Sequence, residues 1–277
     1  MTPDLLFRRP PAEGPWTEIV SPQNAPLKWL RVGTVHLTAQ SPEWTFETGD
    51  SEAALDIFGG LCTVNIHSSA GDATFPEIGK RAHVFAGKPT MVYIPRDSRV
   101  SLYAEGAVLD AALIFAPARQ SYPAAVIYPE ETITREVGRD NWSRTVVTAI
   151  GDNVRADRLI IGETFNPPGN WSSSPPHKHD RQNENETPME EVYLYKTSPP
   201  GGFGLQRIYT APDDPEPFDV TYAVQDGDAV VLPRGYHPVV AAPGYQLFYL
   251  WALAGEERRY GAWANDPAHA WILEETR

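Results

Sequence analysis

The sequence predicts an all-β fold, two antiparallel β-barrels in one chain, and three observations carry that reading. The 277 residues include 27 prolines and 21 glycines, which fits many short strands joined by tight turns rather than long helices. Apolar residues alternate at period two along stretches such as Leu30-Arg31-Val32-Gly33-Thr34-Val35-His36-Leu37, and turn residues interrupt these stretches at short intervals. A weak repeat relates the halves: Gly87-Lys-Pro-Thr-Met-Val-Tyr-Ile-Pro95-Arg96 resembles Gly227-Asp-Ala-Val-Val-Leu-Pro233-Arg234 when the Pro-Arg pairs are aligned. With 42% hydrophobic residues, the chain has enough apolar side chains for a real core.

Residues 1–28 are rich in proline and turn formers and read as an arm packed along a domain. A first barrel over 29–125 has strand candidates at 30–37, around Thr45, and at 54–58, 62–67, 82–85, 91–94, 99–103 and 108–115. The irregular segment 117–134 is the candidate linker. A second barrel over 135–277 has strand candidates at 144–150, 158–165, 191–195, 204–209, 221–224, 229–232, 239–242 and 245–253. Only short stretches such as 266–275 have room to be helical, and that one serves equally well as an extended cover.

A net charge of −13 argues against nucleic acid or an anionic membrane as partner. It leaves room for an acidic small molecule, because a metal ion and nearby arginines override the global field locally. Cys62 is the single cysteine, so neither an intramolecular disulfide nor a cysteine-based zinc site is available. Residues 1–9 lack the apolar run of a secretion signal, and no long apolar run follows, which predicts a soluble cytoplasmic protein.

The chemistry concentrates in Pro175-Pro176-His177-Lys178-His179-Asp180, in Glu190-Glu191-Val192-Tyr193-Leu194-Tyr195, and in Pro233-Arg234-Gly235-Tyr236-His237. Side chains two apart on a strand share a face, so His177 and His179 can converge while Lys178 points away. A pair so spaced also fits an exposed strand. A carboxylate opening the next strand and a third histidine beyond a turn favour a metal site instead, since three imidazoles and a carboxylate suit a divalent transition metal. The first half offers only His36, His67 and His83, widely separated, with Arg99 opposite His237 in the repeat. It is therefore expected to be a metal-free support. Tryptophans 142, 171, 251, 263 and 271 are expected in the core and at the barrel mouth.

The second half resembles a cupin barrel, with its H-x-H…Glu and Gly-x5-Pro-x-Gly…His motifs. A long gap between His179 and Glu191 and a single residue between Gly235 and His237 depart from the general pattern. Those departures resemble the 5-deoxy-glucuronate isomerases of bacterial myo-inositol breakdown. So do Pro-Pro-Gly-Asn-Trp-Ser-Ser (167–173), Gly-Phe-Gly-Leu-Gln-Arg-Ile-Tyr-Thr (202–210) and Pro-Arg-Gly-Tyr-His-Pro-Val-Val-Ala-Ala-Pro-Gly-Tyr (233–245), and the resemblance is dense over 135–277. It implies a bicupin that interconverts an aldehyde next to a carbinol and a hydroxymethyl ketone, by an enediol or a hydride shift.

The same resemblance implies one divalent ion, zinc or manganese, on His177, His179, Glu191 and His237, with Glu190 competing for the carboxylate role. Glu190, Tyr193 and Tyr195 are the implied proton-transfer candidates. Gln206, Arg207, Arg234 and Tyr236 are the implied substrate contacts, with Arg207 or Arg234 gripping the far carboxylate. The implied partner is a sugar acid, and a homo-oligomer is compatible. Rival readings are the related ketol-isomerase of pectin-derived uronates, a metal-dependent dioxygenase and a non-catalytic sugar-binding bicupin.

Overall fold

The alternation read from sequence becomes two sandwiches in the computed structural model, which describes residues 4–274. In the first half a six-stranded sheet runs in the order Ala125–Ile127, Met91–Ile94, Ser51–Gly59, Val108–Pro117, Arg31–Thr38, Trp16–Val20. It faces a four-stranded sheet of Glu43–Glu47, Ser98–Ala104, Leu61–Ser68 and Ala73–Gly79. Every second residue points between the sheets, so Val35, Leu55, Leu113, Ile66, Val100 and Leu102 fill the interior.

The second half repeats the plan strand for strand. Ala229–Leu232, Met189–Ser198, Gln246–Gly255, Ile160–Asn166 and Arg144–Ile150 stand in the order that Met91–Ile94 to Trp16–Val20 hold in the first. Trp171–Ser172, Val239–Ala241, Gly204–Tyr209 and Asp219–Val224 form the facing sheet, and the pairings are antiparallel. Leu232 and Ile94, each just before a Pro-Arg pair, lie opposite Glu191 and Ala53. The duplication therefore sets Ala53, Leu55 and Ile57 at the positions of Glu191, Tyr193 and Tyr195. Aliphatic packing fills the first barrel where polar groups gather in the second.

Four expectations are corrected. The arm expected over 1–28 is built into the sheets rather than laid along one domain: Leu6–Phe7 pairs with Ala229–Leu232 of the second half, and Trp16–Val20 with Arg31–Thr38 of the first. The expected linker likewise adds Ala125–Ile127 to one sheet edge and Ile133–Val137 to the other. Strands this short carry too few residues to show a period, so only their partners reveal them. Arg99 lies exposed on Ser98–Ala104, opposite His67, and does not face the barrel interior. Residues 82–85 fold partly as the turn Val84–Ala86, and Ala270–Leu273 forms a 3-10 turn after Ala264–Asn265. Glu275, the end of the stretch expected as helix or cover, lies outside the described residues. Among the described residues no helix is long and apolar enough to cross a membrane.

The two large sheets pack through the faces not used inside either barrel. Ala54, Ala112 and Ile114 share one buried cluster with Val192, Leu250 and Ala252, and Phe58 meets Phe248 edge to face at 5.7 Å. Reciprocal carboxylates pin this contact. Glu52 accepts hydrogen bonds from the backbone N–H groups of Asp157, Arg158 and Leu159 at 2.8, 2.7 and 2.8 Å. Its repeat partner Glu190 accepts from Lys28, Trp29 and Leu30 at 2.6, 2.7 and 2.6 Å. Each carboxylate reaches across and satisfies three donors that would otherwise be stranded at the seam.

Candidate active site

Strand Met189–Ser198 sorts its side chains by alternation. Glu191, Tyr193 and Tyr195 turn into the second barrel, whereas Glu190 turns toward the first half. Glu190 is thus withdrawn both as a ligand and as a base: its two oxygens are committed to the 28–30 backbone. His177 sits on the short strand His177–Lys178, paired with Ala264–Asn265, and His179 follows it. Lys178 points away between them. It is buried rather than at the rim, and its Nζ donates to Asp180 at 2.5 Å and Glu186 at 2.7 Å.

The polar loop between His179 and Glu191 fixes the third histidine. The second oxygen of Asp180 accepts the Gly235 N–H at 2.8 Å. Gly235 has φ +93, and a Cβ there would stand 2.7 Å from the Tyr209 carbonyl, so glycine is required. Two residues on, His237 donates its Nδ1 proton to the Gly235 carbonyl at 2.9 Å, and His179 donates its own to the Met189 carbonyl at 2.7 Å. The His237 tautomer leaves Nε2 as an acceptor 3.4 Å from Glu191 Oε2, whereas His179 Nε2 hydrogen-bonds to Glu191 Oε2 at 3.2 Å and carries a proton there. The donor atoms of His179, Glu191 and His237 lie within 4.8 Å of one another. The His177 ring stands 4.7 Å from that of His237 and 6.4 Å from that of His179.

These residues fit a divalent cation. His237 Nε2 is buried without a hydrogen-bond partner, which is costly unless something electrophilic meets its lone pair. Burial pushes the pKa of His237 down to about 4, and burial followed by the neighbouring imidazoles holds His177 well below its ordinary range. Both are therefore neutral at neutral pH, the form that ligates metals. Burial also opposes a charge on His179, but its hydrogen bond and ion pair with Glu191 outweigh it and raise its pKa. In the protein alone a proton balances Glu191; a cation would take its place.

Over the cluster opens a cavity of about 410 Å³, lined by His177, His179, Glu191, Tyr193, Tyr249 and Arg144 among others. Among the described residues, Glu191 is the only carboxylate in its wall. Trp142, Trp251 and Trp263 form apolar parts of the same wall, Trp263 at its exposed rim, while Trp171 and Trp271 are exposed outside it. The Tyr193 hydroxyl meets Ser173 Oγ at 3.0 Å, and Ser173 adopts φ +48, the kind of backbone conformation that persists where surrounding structure holds it.

The remaining predicted contacts lie elsewhere. Gln206 is buried behind the cluster, donating to the His237 carbonyl at 2.7 Å and accepting from the Tyr195 hydroxyl, so both brace His237 and neither lines the cavity. Alternation sends Arg207 outward, where Nε and Nη2 fork onto Asp219 at 2.9 and 2.6 Å. Arg234 points to the 213–216 loop, 3.5 Å from Asp214, and Tyr236 packs on Tyr209 at 5.2 Å. The arginine clamp expected from Arg207 or Arg234 is corrected on this ground. Sequence reasoning missed Arg144, which carries no motif; its sole signal is being in phase with Val146, another cavity residue.

The contrast between adjacent glutamates is testable. Glu190→Gln is expected to keep metal and lower stability by about 1–3 kcal/mol, because an amide oxygen replaces a charged acceptor of buried N–H groups. Glu191→Gln is expected to lose metal with little loss of stability. Metal analysis and thermal melts of both variants check this; a metal-free Glu190→Gln protein would refute the assignment.

Cavity, histidine cluster and duplicated barrels together invite comparison with known proteins. Residues 6–272 match the KduI/IolB family. The chain belongs to the KduI/IolB family. Among its curated relatives is the 5-deoxy-glucuronate isomerase of Geobacillus kaustophilus, 37% identical over 258 residues, covering 92% of this chain and 90% of the relative. Another is the 5-deoxy-glucuronate isomerase of Bacillus subtilis strain 168, 36% identical over 260 residues, covering 92% of each. The crystal structure of an IolB-like protein from Salmonella typhimurium LT2 superposes with TM-score 0.89 at 33% identity, covering 98% of this chain and 99% of that one. Oxalate decarboxylase of Lactobacillus farciminis superposes with TM-score 0.66 at 10% identity, covering 96% and 89%, a likeness of fold alone. The all-β bicupin architecture expected from sequence is the one this KduI/IolB protein adopts.

Proposed function

We propose that this KduI/IolB protein is a cytoplasmic aldose-ketose isomerase that converts 5-deoxy-D-glucuronate to 5-dehydro-2-deoxy-D-gluconate through an enediol. One divalent ion, zinc or manganese, is held by His177, His179, Glu191 and His237. The observation that carries the reading is the buried imidazole-carboxylate cluster opening onto a cavity of about 410 Å³. Relatives sharing more than a third of its residues over 92% of the chain bear the name of that isomerase. A bound divalent ion supplies a Lewis acid to the adjacent carbonyl and hydroxyl oxygens of such a substrate.

The chain's own groups do the rest. Burial, and after it the charge of Glu191, raises the Tyr193 pKa well above the ordinary tyrosine range. Its hydroxyl therefore keeps its proton and faces the substrate as a hydrogen-bond donor to an oxygen that gains negative charge, with Ser173 orienting it. Gln206 and Tyr195 hold His237 from behind, and Trp142, Trp251 and Trp263 supply apolar parts of the cavity wall. The first barrel, with Ala53, Leu55 and Ile57 at the positions of Glu191, Tyr193 and Tyr195, supports this site without a metal of its own.

Incubation with 5-deoxy-glucuronate in D2O, followed by NMR, tests the reading. Keto product is expected, with deuterium on its hydroxymethyl carbon (C1 of the substrate aldehyde, C6 of the product), abolished by chelator and restored by zinc or manganese. No turnover overturns the function; turnover without deuterium overturns only the enediol step. Tyr193→Phe is expected to lower kcat by about 10²-fold or more at full metal content. An unchanged kcat would remove Tyr193 from the reaction.

A further inference from the structure

Three arginines are buried among the described residues, and they differ in what faces them. Arg81 meets Asp56 and Glu163 at 3.1 and 2.5 Å. Arg158 has Glu256 at 3.7 Å and Asp157 at 4.0 Å. Arg144, only 9% exposed, has no carboxylate within ion-pair distance among the described residues. Its hydrogen bonds run from Nη1 alone, to the Trp142 carbonyl at 3.1 Å and the Ser174 carbonyl at 3.3 Å. They hold the guanidinium in place and leave the Nε and Nη2 donors without a protein acceptor.

We propose that Arg144 is the seat of the substrate carboxylate, and so the residue that restricts this site to sugar acids; the proposal rests on the isomerase reading above. Arg144 lines the same cavity as His177, His179 and Glu191, so an acid held by one end on the guanidinium keeps its other end within the compartment of the cluster. A guanidinium fork donates two parallel hydrogen bonds to a carboxylate, and such charge-assisted pairs are stronger than neutral ones. Burial pulls the Arg144 pKa down, with only the tyrosines 249 and 193 opposing it, whereas the carboxylate partners of Arg81 raise that group's pKa. An arginine stays protonated regardless, so Arg144 is a buried cation in want of an anion. Arg135, which also lines the cavity, is exposed, where water screens its charge.

Calorimetry on the metal-loaded full chain with two unreactive probes tests this. One is the substrate reduced to an alcohol at C1, which keeps the carboxylate and cannot isomerise; the other is the carboxamide of that alcohol. Wild type is expected to bind the carboxylate at least about 30-fold more tightly than the carboxamide. Arg144→Met is expected to abolish that preference, with carboxamide binding and metal content kept within about threefold. Arg144→Gln, which retains donors for the Trp142 and Ser174 carbonyls, carries the same test if the Met variant fails to fold. No preference in wild type, or a preference retained in the variants, overturns the proposal. Wild type that prefers the carboxylate yet converts no uronate would sink the isomerase reading and leave this seat standing.

Discussion

His179→Ala is expected to strip the protein of metal and of isomerase activity together. His179 is fixed from both sides, by its hydrogen bond to the Met189 carbonyl and by Glu191 against its Nε2. Its removal therefore takes away one of the three clustered donor groups. Outer partners of metal ligands carry about 10- to 100-fold in affinity or activity, so removal of a ligand itself is expected to exceed that range. Metal content should fall from near one per chain to less than roughly a tenth, with kcat/KM down on the order of 10³-fold or more. The matched control is the triple variant of His36, His67 and His83 to Gln. His36 and His67 sit exposed on Asp110 and Asp72, at 2.6 and 3.0 Å, and His83 is exposed as well. Unchanged metal is expected there. A His179→Ala protein with full metal would defeat the ligand assignment.

Period-two alternation made much of this site legible. It predicted a Lys178 turned away from the histidines and the shared face of Glu191, Tyr193 and Tyr195, whereas His177, expected to converge with His179, stands outside the set of His179, Glu191 and His237 whose donor atoms lie within 4.8 Å of one another. It also decides between Glu190 and Glu191, once the direction of one of them is known. Pairing partners were beyond its reach. Arg207 and Arg234 look like free forks in the sequence, but Asp219 lies on the neighbouring strand and Asp214 in a loop, and both arginines turn to them. Arg144 looks like an ordinary strand residue because its significance is a missing partner, which no local pattern records. The repeat was faint for a related reason. The seam is duplicated at Glu52 and Glu190, while the residues beside them diverged to Ala53 and Glu191 as one barrel filled with aliphatics and the other took up polar chemistry.

Arg81→Met is expected to destabilise the protein by about 3–5 kcal/mol, the cost of leaving a buried charge without its partner. Arg81 reaches from the first half to Glu163 of the second, with Nη1 at 2.9 Å and Nη2 at 2.5 Å, and its Nε donates to the Ile57 carbonyl at 2.8 Å. Two buried carboxyls face this one cation, so the set balances only if one of them carries a proton. Asp56 is that one: burial, and next the charge of Glu163, push its pKa well above the ordinary carboxylate range. Burial raises the Glu163 pKa as well, but the charge of Arg81 and its two hydrogen bonds to Glu163 oppose this, so Glu163 holds the charge and the protonated Asp56 donates to it. Asp56→Asn should then be tolerated to within about 1 kcal/mol, because an amide reproduces both the neutrality and the donor. Thermal melts read the difference, a fall on the order of 10 °C for Arg81→Met against a degree or two for Asp56→Asn. Equal losses in the two variants would mean that Asp56 is ionised in the folded protein, and that the seam between the barrels is balanced by some other proton.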